Sequence, residues 1–378
     1  MTTDRARSHL TLAFVGDVCL GGGLQTNLAT TAASDLFRHM RNLLTVSDIA
    51  CGNLEFCIVA EATQDLPKNV MRVPYQLARG IENCGIGIWS LCNNHVMDGG
   101  PVGLATTRNF LTERSLAYFG AGDNLADAEK PTIVEVKGRR IAYVGGCDVP
   151  RYFASCTAAG IAPLRASSLF RRVEAARKQS DVVVCVLHAD LEFSEYPSPA
   201  RVRLARSLVD HGADLVIQHH PHVCQGIERH GGGVIAYSLG NFVFPVIGNE
   251  YLERHPATHW GMILFADIRL VGESKQIDWR VQPVTIGVDH GPHLSDASAE
   301  IAQRGVLERV SVALADPVML RRQWWRRCIK EAKSTVYFLH HHRRRAGLRR
   351  MLAEAFRIAC DPYERRWIQG LLSGGFLE

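Results

Sequence analysis

The sequence lacks the features that mark secreted or membrane-spanning proteins. No apolar run approaches the roughly 20 residues that a membrane-spanning helix requires. The first strand-like run, TLAFVG, follows no apolar signal-peptide core, and it leads into Gly and Asp rather than a small-residue cleavage site. We therefore expect a cytoplasmic protein without a membrane partner.

A CxxC pair is also missing, although the chain contains eleven cysteines. Several of them, such as Cys147 and Cys185, lie within apolar runs. This distribution is typical of reduced, buried thiols and argues against a disulfide framework. It also argues against a structural zinc site, in which cysteines are closely spaced. The chain has no internal repeat either.

The charge of the chain is unevenly distributed. Its 378 residues are 47% hydrophobic, an ordinary globular composition that allows one large α/β domain or a domain with an appendage. Residues 315–378 contain 14 Lys and Arg against 6 Asp and Glu, a net charge of +8, whereas the remainder carries −3. We expect a main domain over residues 1–290 and a helical, basic extension over residues 291–378.

The basic extension places Trp324 and Trp325 among arginines. The simplest interpretation is an amphipathic helix whose apolar side chains face the main domain. The alternatives are a lid over a site or an element that binds an anionic peptide. Stacking aromatics in a basic stripe are also typical of nucleic-acid binding. This last interpretation is the least favoured, and we expect no nucleic-acid partner.

Short, β-rich apolar runs alternate with helical patterns along the main domain. One helix is predicted over residues 167–180. Another has Ser198 as its N-cap, Pro199 at its first position and Gly212 at its end. Such alternation favours a layered α/β fold. The predicted strands are residues 11–17, 140–146, 182–188, 214–220, 234–244 and 260–270.

Polar side chains follow the predicted strands where each of them ends. Layered α/β folds place their sites at these ends, and a mixture of carboxylate, imidazole and amide ligands suits Zn, Mn, Fe or Ca rather than a thiolate site. Pro221 stiffens the turn between the two imidazoles of an HPH motif. The segments are GDVC with Asp17, GNLEF with Asn53 and Glu55, CNNHVMD with Asn94, His95 and Asp98, HADLE with His188, Asp190 and Glu192, and HHPHV with His219, His220 and His222.

These segments resemble the CapA family of poly-γ-glutamate capsule-biosynthesis proteins, within the calcineurin-like metallophosphoesterase superfamily. The resemblance covers about residues 11–245 and rests on FVGDVCLGG, GNLEF, CNNHVMDGG, FGAGDNLADAEKP, VLHADLEFSEYPSP, QHHPHVCQGIE and YSLGNFVF. The last two motifs are highly specific. The resemblance implies a four-layer α/β/β/α sandwich with a dinuclear site for divalent metal ions, followed here by the helical, basic extension.

The resemblance also implies roles for the ligand-type residues. His95 would act beside the metals as a proton donor, and Asp98 would orient it. Asp17 and His222 would bind the first metal, and Glu55 would bridge the two metals. The ligands of the second metal would be Asn94, His188 and His220.

Three departures from the family pattern concern this site. Where phosphoesterases carry DxH, this chain has Asp17-Val18-Cys19. The first metal therefore lacks one of its usual ligands, and we expect either one or two bound metals. Where family members usually carry HWG, this chain has His188-Ala189-Asp190. Where they usually carry a Gly before HHPH, it has Gln218. The last two changes indicate a specialised pocket.

Further residues are candidates for substrate contact or for support behind the ligands. On a strand, the side chain of His219 would point away from that of His220. Other interpretations stay open for the ligand-type residues: a helix cap for Asp17, a solvated turn for Glu55 and a structural role for His95. The further candidates are Asn53, Asp190, Glu192, Tyr196 and His219, and for Asp190 and Glu192 a surface position is an equal alternative.

Three reactions are consistent with the resemblance, because a fold family fixes a scaffold better than a reaction. The preferred one is metal-assisted epimerisation at a peptide Cα, as in family members that act on ribosomal lasso peptides. The second is phosphoester hydrolysis, and the third is a role in making or moving poly-γ-glutamate. A non-catalytic binding module is a remote alternative. The expected partner is a peptide or polyglutamyl substrate, and the oligomeric state stays open.

Overall fold

The computed structural model describes residues 9–22, 24, 35–61, 70–149, 152–272, 274–361 and 364–372. The strands are β1 (His9–Val18), β2 (Ile49–Leu54), β3 (Cys57–Val59), β4 (Arg72–Pro74), β5 (Ile88–Ser90), β6 (Ala117–Phe119), β7 (Ala121–Gly122), β8 (Thr132–Val136), β9 (Arg139–Cys147), β10 (Gly160–Ile161), β11 (Val182–His188), β12 (Leu215–His219), β13 (Ile227–His230), β14 (Gly233–Ala236), β15 (Asn241–Val243), β16 (Trp260–Val271), β17 (Ser274–Ile286) and β18 (Pro292–Leu294).

The helices flank these strands and then dominate the end of the chain. They are α1 (Arg38–Leu44), α2 (Tyr75–Ala78), α3 (Gly100–Glu113), α4 (Leu125–Glu129), α5 (Ala166–Arg177), α6 (Pro199–Asp210), α7 (Glu250–Glu253), α8 (Ala297–Leu314), α9 (Pro317–Ala346), α10 (Leu348–Cys360) and α11 (Arg365–Leu372), with 3₁₀ turns at Arg79–Ile81 and Pro256–His259. None of the helices that the structure describes combines the length and the apolar composition needed to cross a bilayer.

Two mixed sheets form the centre of the molecule. The first has the order β18-β17-β16-β1-β2-β5-β6, and β15 also pairs with the end of β1. The second has the order β13-β14-β12-β11-β9-β8. In the first sheet β1, β2, β5 and β6 run parallel, and in the second β9, β11, β12 and β14 do so. The parallel strands of each sheet therefore share one carboxyl edge.

Alternating side chains explain why the sheets stack face to face. In β1, Leu12 and Phe14 pack into the core between the sheets, whereas Ala13 and Val15 pack towards α1 and α3. In β11, Val184 faces the core between the sheets and its neighbours face α5 and α6. Both strands are mostly apolar because both of their faces are covered. The predicted four-layer α/β/β/α sandwich is confirmed.

The helix α6 begins as its sequence predicts. The Ser198 side chain accepts a hydrogen bond from the backbone N–H of Arg201 at 3.3 Å, and Pro199 is the first helical residue. Beyond the helix, Gly212 adopts a φ of +109°, in the left-handed region that favours glycine. Local capping and glycine geometry therefore set where this helix begins and ends.

The predicted strand over residues 234–244 is wrong in one respect, because the structure divides it between the two sheets. Its first half forms β14 in the second sheet, and its second half forms β15 beside β1. Gly240 permits the crossing, since its φ is +68° and an added Cβ would lie 2.4 Å from the carbonyl oxygen of Trp260. The crossing sets Asn241 directly alongside Asp17.

The helices after β18 pack on the main domain. Leu314 at the end of α8 and Leu320 in α9 belong to the core outside the second sheet. Further along, Cys328, Ile358 and Trp367 form a small buried cluster with Leu191 of the main domain, and Trp324 packs against it. The extension is therefore anchored to the loop that follows β11. The predicted boundary at residue 290 stays a prediction, and β18 lies just beyond it.

We expect two of the eleven cysteines to react quickly with a thiol reagent in the native protein. Cys156 and Cys360 are exposed, and the other nine are buried. Burial raises the pKa of Cys84 to about 12 and that of Cys57 to about 11, so little reactive thiolate forms there. Titration with Ellman's reagent before and after unfolding measures this, and the Cys156→Ser/Cys360→Ser variant should show no fast phase. A third fast thiol would contradict the described packing.

Candidate metal centre

Two buried carboxylates lie at the carboxyl edge of the first sheet. Asp17 is in β1 and Glu55 directly follows β2, and both are inaccessible to solvent. Asn53 pairs with Asp17 in the strand register and donates its side-chain amide to Asp17 Oδ1 at 2.9 Å. The same nitrogen lies 3.3 Å from Glu55 Oε2. Asn93 donates to Asn53 Oδ1 at 3.0 Å and so fixes its orientation.

The second sheet contributes imidazoles across the gap. His188 ends β11, and His220 and His222 follow β12 around Pro221. All three are buried. The chain brings them within reach of the carboxylates because the two sheets place their carboxyl edges together. At this centre three groups have ligand atoms within 4.8 Å of one another: Glu55 with His188 and His220, Asp17 with Glu55 and His222, and Glu192 with His220 and His222.

Glu55 belongs to two of these groups. Its Oε1 atom is buried and accepts no hydrogen bond among the described residues. That atom lies 3.8 Å from His188 Nε2 and 3.7 Å from His222 Nε2. A buried carboxylate oxygen without a donor requires an explanation, and a cation between the two imidazoles supplies one. The oxygen and nitrogen donors of this centre therefore fit a divalent metal ion.

Burial and charge set the protonation of the centre. Burial raises the pKa of Glu55 well above its ordinary value, and the neighbouring Asp17 raises it further. For Asp17 the effect of burial is outweighed by hydrogen bonds from His219 and His222, which hold its pKa well below the usual range. Burial lowers the pKa of His188 and His220, so both imidazoles are neutral, which is the form that binds metals.

His219 supports the centre from behind Asp17. Its Nδ1 lies 3.0 Å from Asp17 Oδ1, and the orientation of its ring relative to that of His220 stays a prediction. His222 Nδ1 lies 3.3 Å from Asp17 Oδ2 and 2.9 Å from Asn241 Oδ1. The crossing at Gly240 therefore provides a partner that orients His222.

His95 and Asp98 form a rigid pair on the turn after β5. His95 Nδ1 lies 2.8 Å from Asp98 Oδ2, and this oxygen also accepts the backbone N–H of Met71 at 2.6 Å. Asn93 Oδ1 accepts the backbone N–H groups of His95 and Val96, each at 3.0 Å. These contacts fix the ring of His95, so that its Nε2 is the nitrogen left for chemistry.

Asn94 approaches His188 from the same turn. Its Oδ1 lies 2.7 Å from His188 Nε2, so two of the three donor atoms assigned to the second metal converge at one point. The structure thus brings together all six predicted ligands. Their roles as ligands stay predictions.

Glu192 faces the centre, and it has a partner that the sequence analysis missed. The Tyr251 hydroxyl donates to Glu192 Oε2 at 2.6 Å. Both residues line a cavity of about 170 Å³ together with His95 and His222. Tyr251 lies in the short helix α7, beyond the recognised motifs, and no local pattern marks it.

Two predicted candidates lie outside the donor groups. The Asp190 carboxylate accepts the backbone N–H of Ser198 at 2.6 Å and so points to the start of α6. Its pKa is raised by burial. Tyr196 is half-buried against the core outside the second sheet. Both residues therefore support the loop after β11 from its helix side.

Two arginines of the extension hold that loop, and no sequence pattern marks which arginines do so. Arg366 donates to the carbonyl oxygen of Asp190 at 3.0 Å, and Arg327 donates to that of Glu192 at 2.7 Å. The loop needs such support, because Asp190 has a φ of +88° and Phe193 a φ of +57°. These values lie in the left-handed region, which costs free energy for residues other than glycine.

Comparison with known proteins assigns the chain to a family. Residues 11–246 match the model of the family described as bacterial capsule synthesis protein PGA_cap. The chain is 32% identical over 250 residues to the capsule biosynthesis protein CapA of Bacillus anthracis, which covers 64% of this chain and 61% of that protein. It is 30% identical over 240 residues to the PGA biosynthesis protein CapA of Bacillus subtilis (strain 168), which covers 62% and 63%.

The match extends over less than two thirds of the length of either relative. Among solved structures, the 5′-nucleotidase precursor from Thermus thermophilus is similar with a TM-score of 0.43 and 14% identity, over 83% of this chain and 60% of that chain. The family match covers more than half of this chain and includes every predicted metal ligand. The chain therefore belongs to the PGA_cap family of bacterial capsule synthesis proteins.

Proposed function

We propose that this protein is a metal-dependent enzyme that acts on a peptide or polyglutamyl chain, and that its reaction is epimerisation at a Cα atom. The observation that carries this proposal is the cavity beside the metal centre. His95, held by Asp98, and the Tyr251–Glu192 pair line the same space. Epimerisation needs one group that removes the Cα proton and a second that returns a proton to the opposite face.

The metal would be held by the donors that converge between the sheets, as one or two Zn, Mn, Fe or Ca ions. A bound divalent ion supplies Lewis acidity, which lowers the cost of negative charge on a substrate carboxylate or carbonyl oxygen. The donors are Asp17, Glu55, Asn94, His188, His220 and His222.

The proton transfers would be made by residues of this chain. His95 Nε2 would serve one face of the substrate, because Nδ1 is occupied by Asp98. The Tyr251 hydroxyl, hydrogen-bonded to the Glu192 carboxylate, would serve the other face. The eleven unpaired cysteines support a cytoplasmic setting for this reaction.

Exchange of the Cα proton with solvent tests the reaction. We expect the metal-loaded protein, incubated with candidate peptides and oligoglutamates in deuterated water, to introduce one deuteron at an inverted Cα. Mass spectrometry locates the label, and chiral analysis after hydrolysis identifies the D-residue. Absence of label with each of the four metals would exclude epimerisation of the peptides tested.

Phosphoester hydrolysis is the second candidate function. The shared position of Glu55 in two donor groups favours it, because two-metal hydrolases use a bridging carboxylate between their ions. Release of p-nitrophenol from an aryl phosphate, with two metals per chain, would favour hydrolysis over epimerisation.

A role in making or moving poly-γ-glutamate is the third candidate. Its support comes from the relatives, which are named for capsule or PGA biosynthesis. The substrate in this case is a polyglutamyl chain, which shares its amide backbone and carboxylates with an acidic peptide.

A further inference from the structure

A second cavity lies beside the metal centre, between the main domain and the extension. Its volume is about 320 Å³, within the range of ligand-binding pockets. Aromatic rings and cations line it together. The main contributors are Phe193, His255, Trp260, Arg254, Arg309 and Lys330.

One aromatic ring separates this cavity from the metal centre. The ring of Phe193 stacks on that of His255 with centroids 4.0 Å apart, and it meets the edge of Tyr251 at 5.1 Å. On the side of the metal centre, its centroid lies 6.4 Å from that of His222. Phe193 therefore lies between His222 of the metal centre and His255 of this cavity, so the two sites are neighbours.

Cations outnumber carboxylates around the cavity. Glu195 is the lining carboxylate, and it pairs with Arg309. Arg254 lies 4.0 Å from Glu250 with 74% of its side chain exposed, so this pair is weak. Lys330 makes no ion pair with a carboxylate of the described chain. Burial lowers the pKa of the adjacent His255, and the charges of Lys330 and Arg327 lower it further, consistent with a positive field.

We propose that this cavity binds a carboxylate-bearing segment of the peptide or polyglutamyl substrate, next to the unit that reacts at the metal centre. Lys330 and Arg254 hold the carboxylates, and the rings of His255 and Trp260 pack on the chain between them. This subsite rests on the proposed function for its connection to the reaction. Lys330 lies in the extension, beyond residue 246 where the family match ends, so the extension would contribute to the specificity of this site.

Direct binding of short glutamate chains tests the subsite without any turnover. The probes are penta-γ-glutamate, penta-α-glutamate and pentaglutamine, titrated calorimetrically into the metal-loaded protein. We expect at least one glutamate probe to bind and pentaglutamine to bind at least about tenfold more weakly, because hydrogen bonds to charged groups exceed neutral ones. The Lys330→Gln and Arg254→Gln variants should each raise the Kd of the glutamate probe by about tenfold.

A matched control is present on the same helix. Lys333 is exposed on α9 and does not line this cavity, so Lys333→Gln should bind like the wild type. All variants should retain the wild-type metal content. Equal binding by Lys330→Gln, Arg254→Gln and the wild type would overturn the subsite, and so would failure of both glutamate probes to bind.

The experiments can reject the subsite and the epimerisation reaction independently of each other. Glutamate binding that depends on Lys330, together with no deuterium incorporation, would leave the subsite in place and reject epimerisation. Preference for the γ-linked probe identifies a capsule-type polymer as the ligand, and preference for the α-linked probe identifies an acidic peptide.

Discussion

Replacing His220 or His222 by alanine is expected to weaken metal binding by at least about 100-fold. Partners that merely orient a ligand already contribute about 10–100-fold, and each of these imidazoles belongs to two of the three donor groups. Elemental analysis after dialysis, followed by calorimetric titration of the stripped protein, measures the effect. The fold should persist, because both residues follow β12 at the carboxyl edge of the second sheet and lie outside its strands.

His230→Ala is the matched control for this prediction. His230 lies on the edge strand β13 and contacts only Asp210 among the described carboxylates, so its replacement should leave the metal content unchanged. Circular dichroism of all three variants separates loss of metal from loss of fold. If His220→Ala and His222→Ala both bound metal as the wild type does, the ligand assignment would be wrong.

The second large effect is expected at His95. His95→Ala should keep its metal and lose about 10²–10⁴-fold in turnover, the usual contribution of a positioned acid or base. The ring belongs to none of the three donor groups at the metal centre, yet it lines the cavity beside them. The measurement is kcat for whichever activity the wild type shows, deuterium exchange or phosphate release, with metal content determined on the same samples.

Asp98→Asn tests whether the carboxylate acts through His95. The 2.8 Å contact between them predicts a smaller loss of turnover than for His95→Ala. The double variant should be no slower than His95→Ala alone, because residues that act as a unit are not additive. A full additional loss in the double variant would show that Asp98 has an independent role. Loss of metal from His95→Ala would instead make His95 a ligand.

Patterns of residues close together in the sequence predicted those parts of the fold that depend on local interactions. The start of α6 at Pro199, with Ser198 as its N-cap, could be predicted because capping and the proline position are local effects. The ligand-type side chains could be located because strand ends are readable as changes from apolar to polar residues. The parallel arrangement within each sheet predicts that these strand ends lie at one edge. The stacking of the two sheets was predicted only from the resemblance to a family.

What escaped prediction depends on contacts between distant segments. The apolar run from Val234 to Phe244 looks continuous, yet packing on two sheets breaks it at Gly240. Tyr251 and Arg366 reach the site only through tertiary packing, and their neighbours in sequence give no sign of it. For Asp190 the sequence left site and surface as equal alternatives, and the residue is instead buried because its carboxylate accepts the backbone N–H of Ser198 at the start of α6.

The division of the centre between two sheets has a consequence for how the protein folds. The backbone N–H of His220 lies 3.4 Å from Asp17 Oδ2, across 203 residues of sequence. Contacts of such separation form only once both halves are in place. A divalent ion would then bind the finished structure and not its precursors, and at a concentration 100 times its Kd it would add about 2.7 kcal/mol to the free energy of unfolding. A bound ion would thus raise the fraction of the chain that is folded.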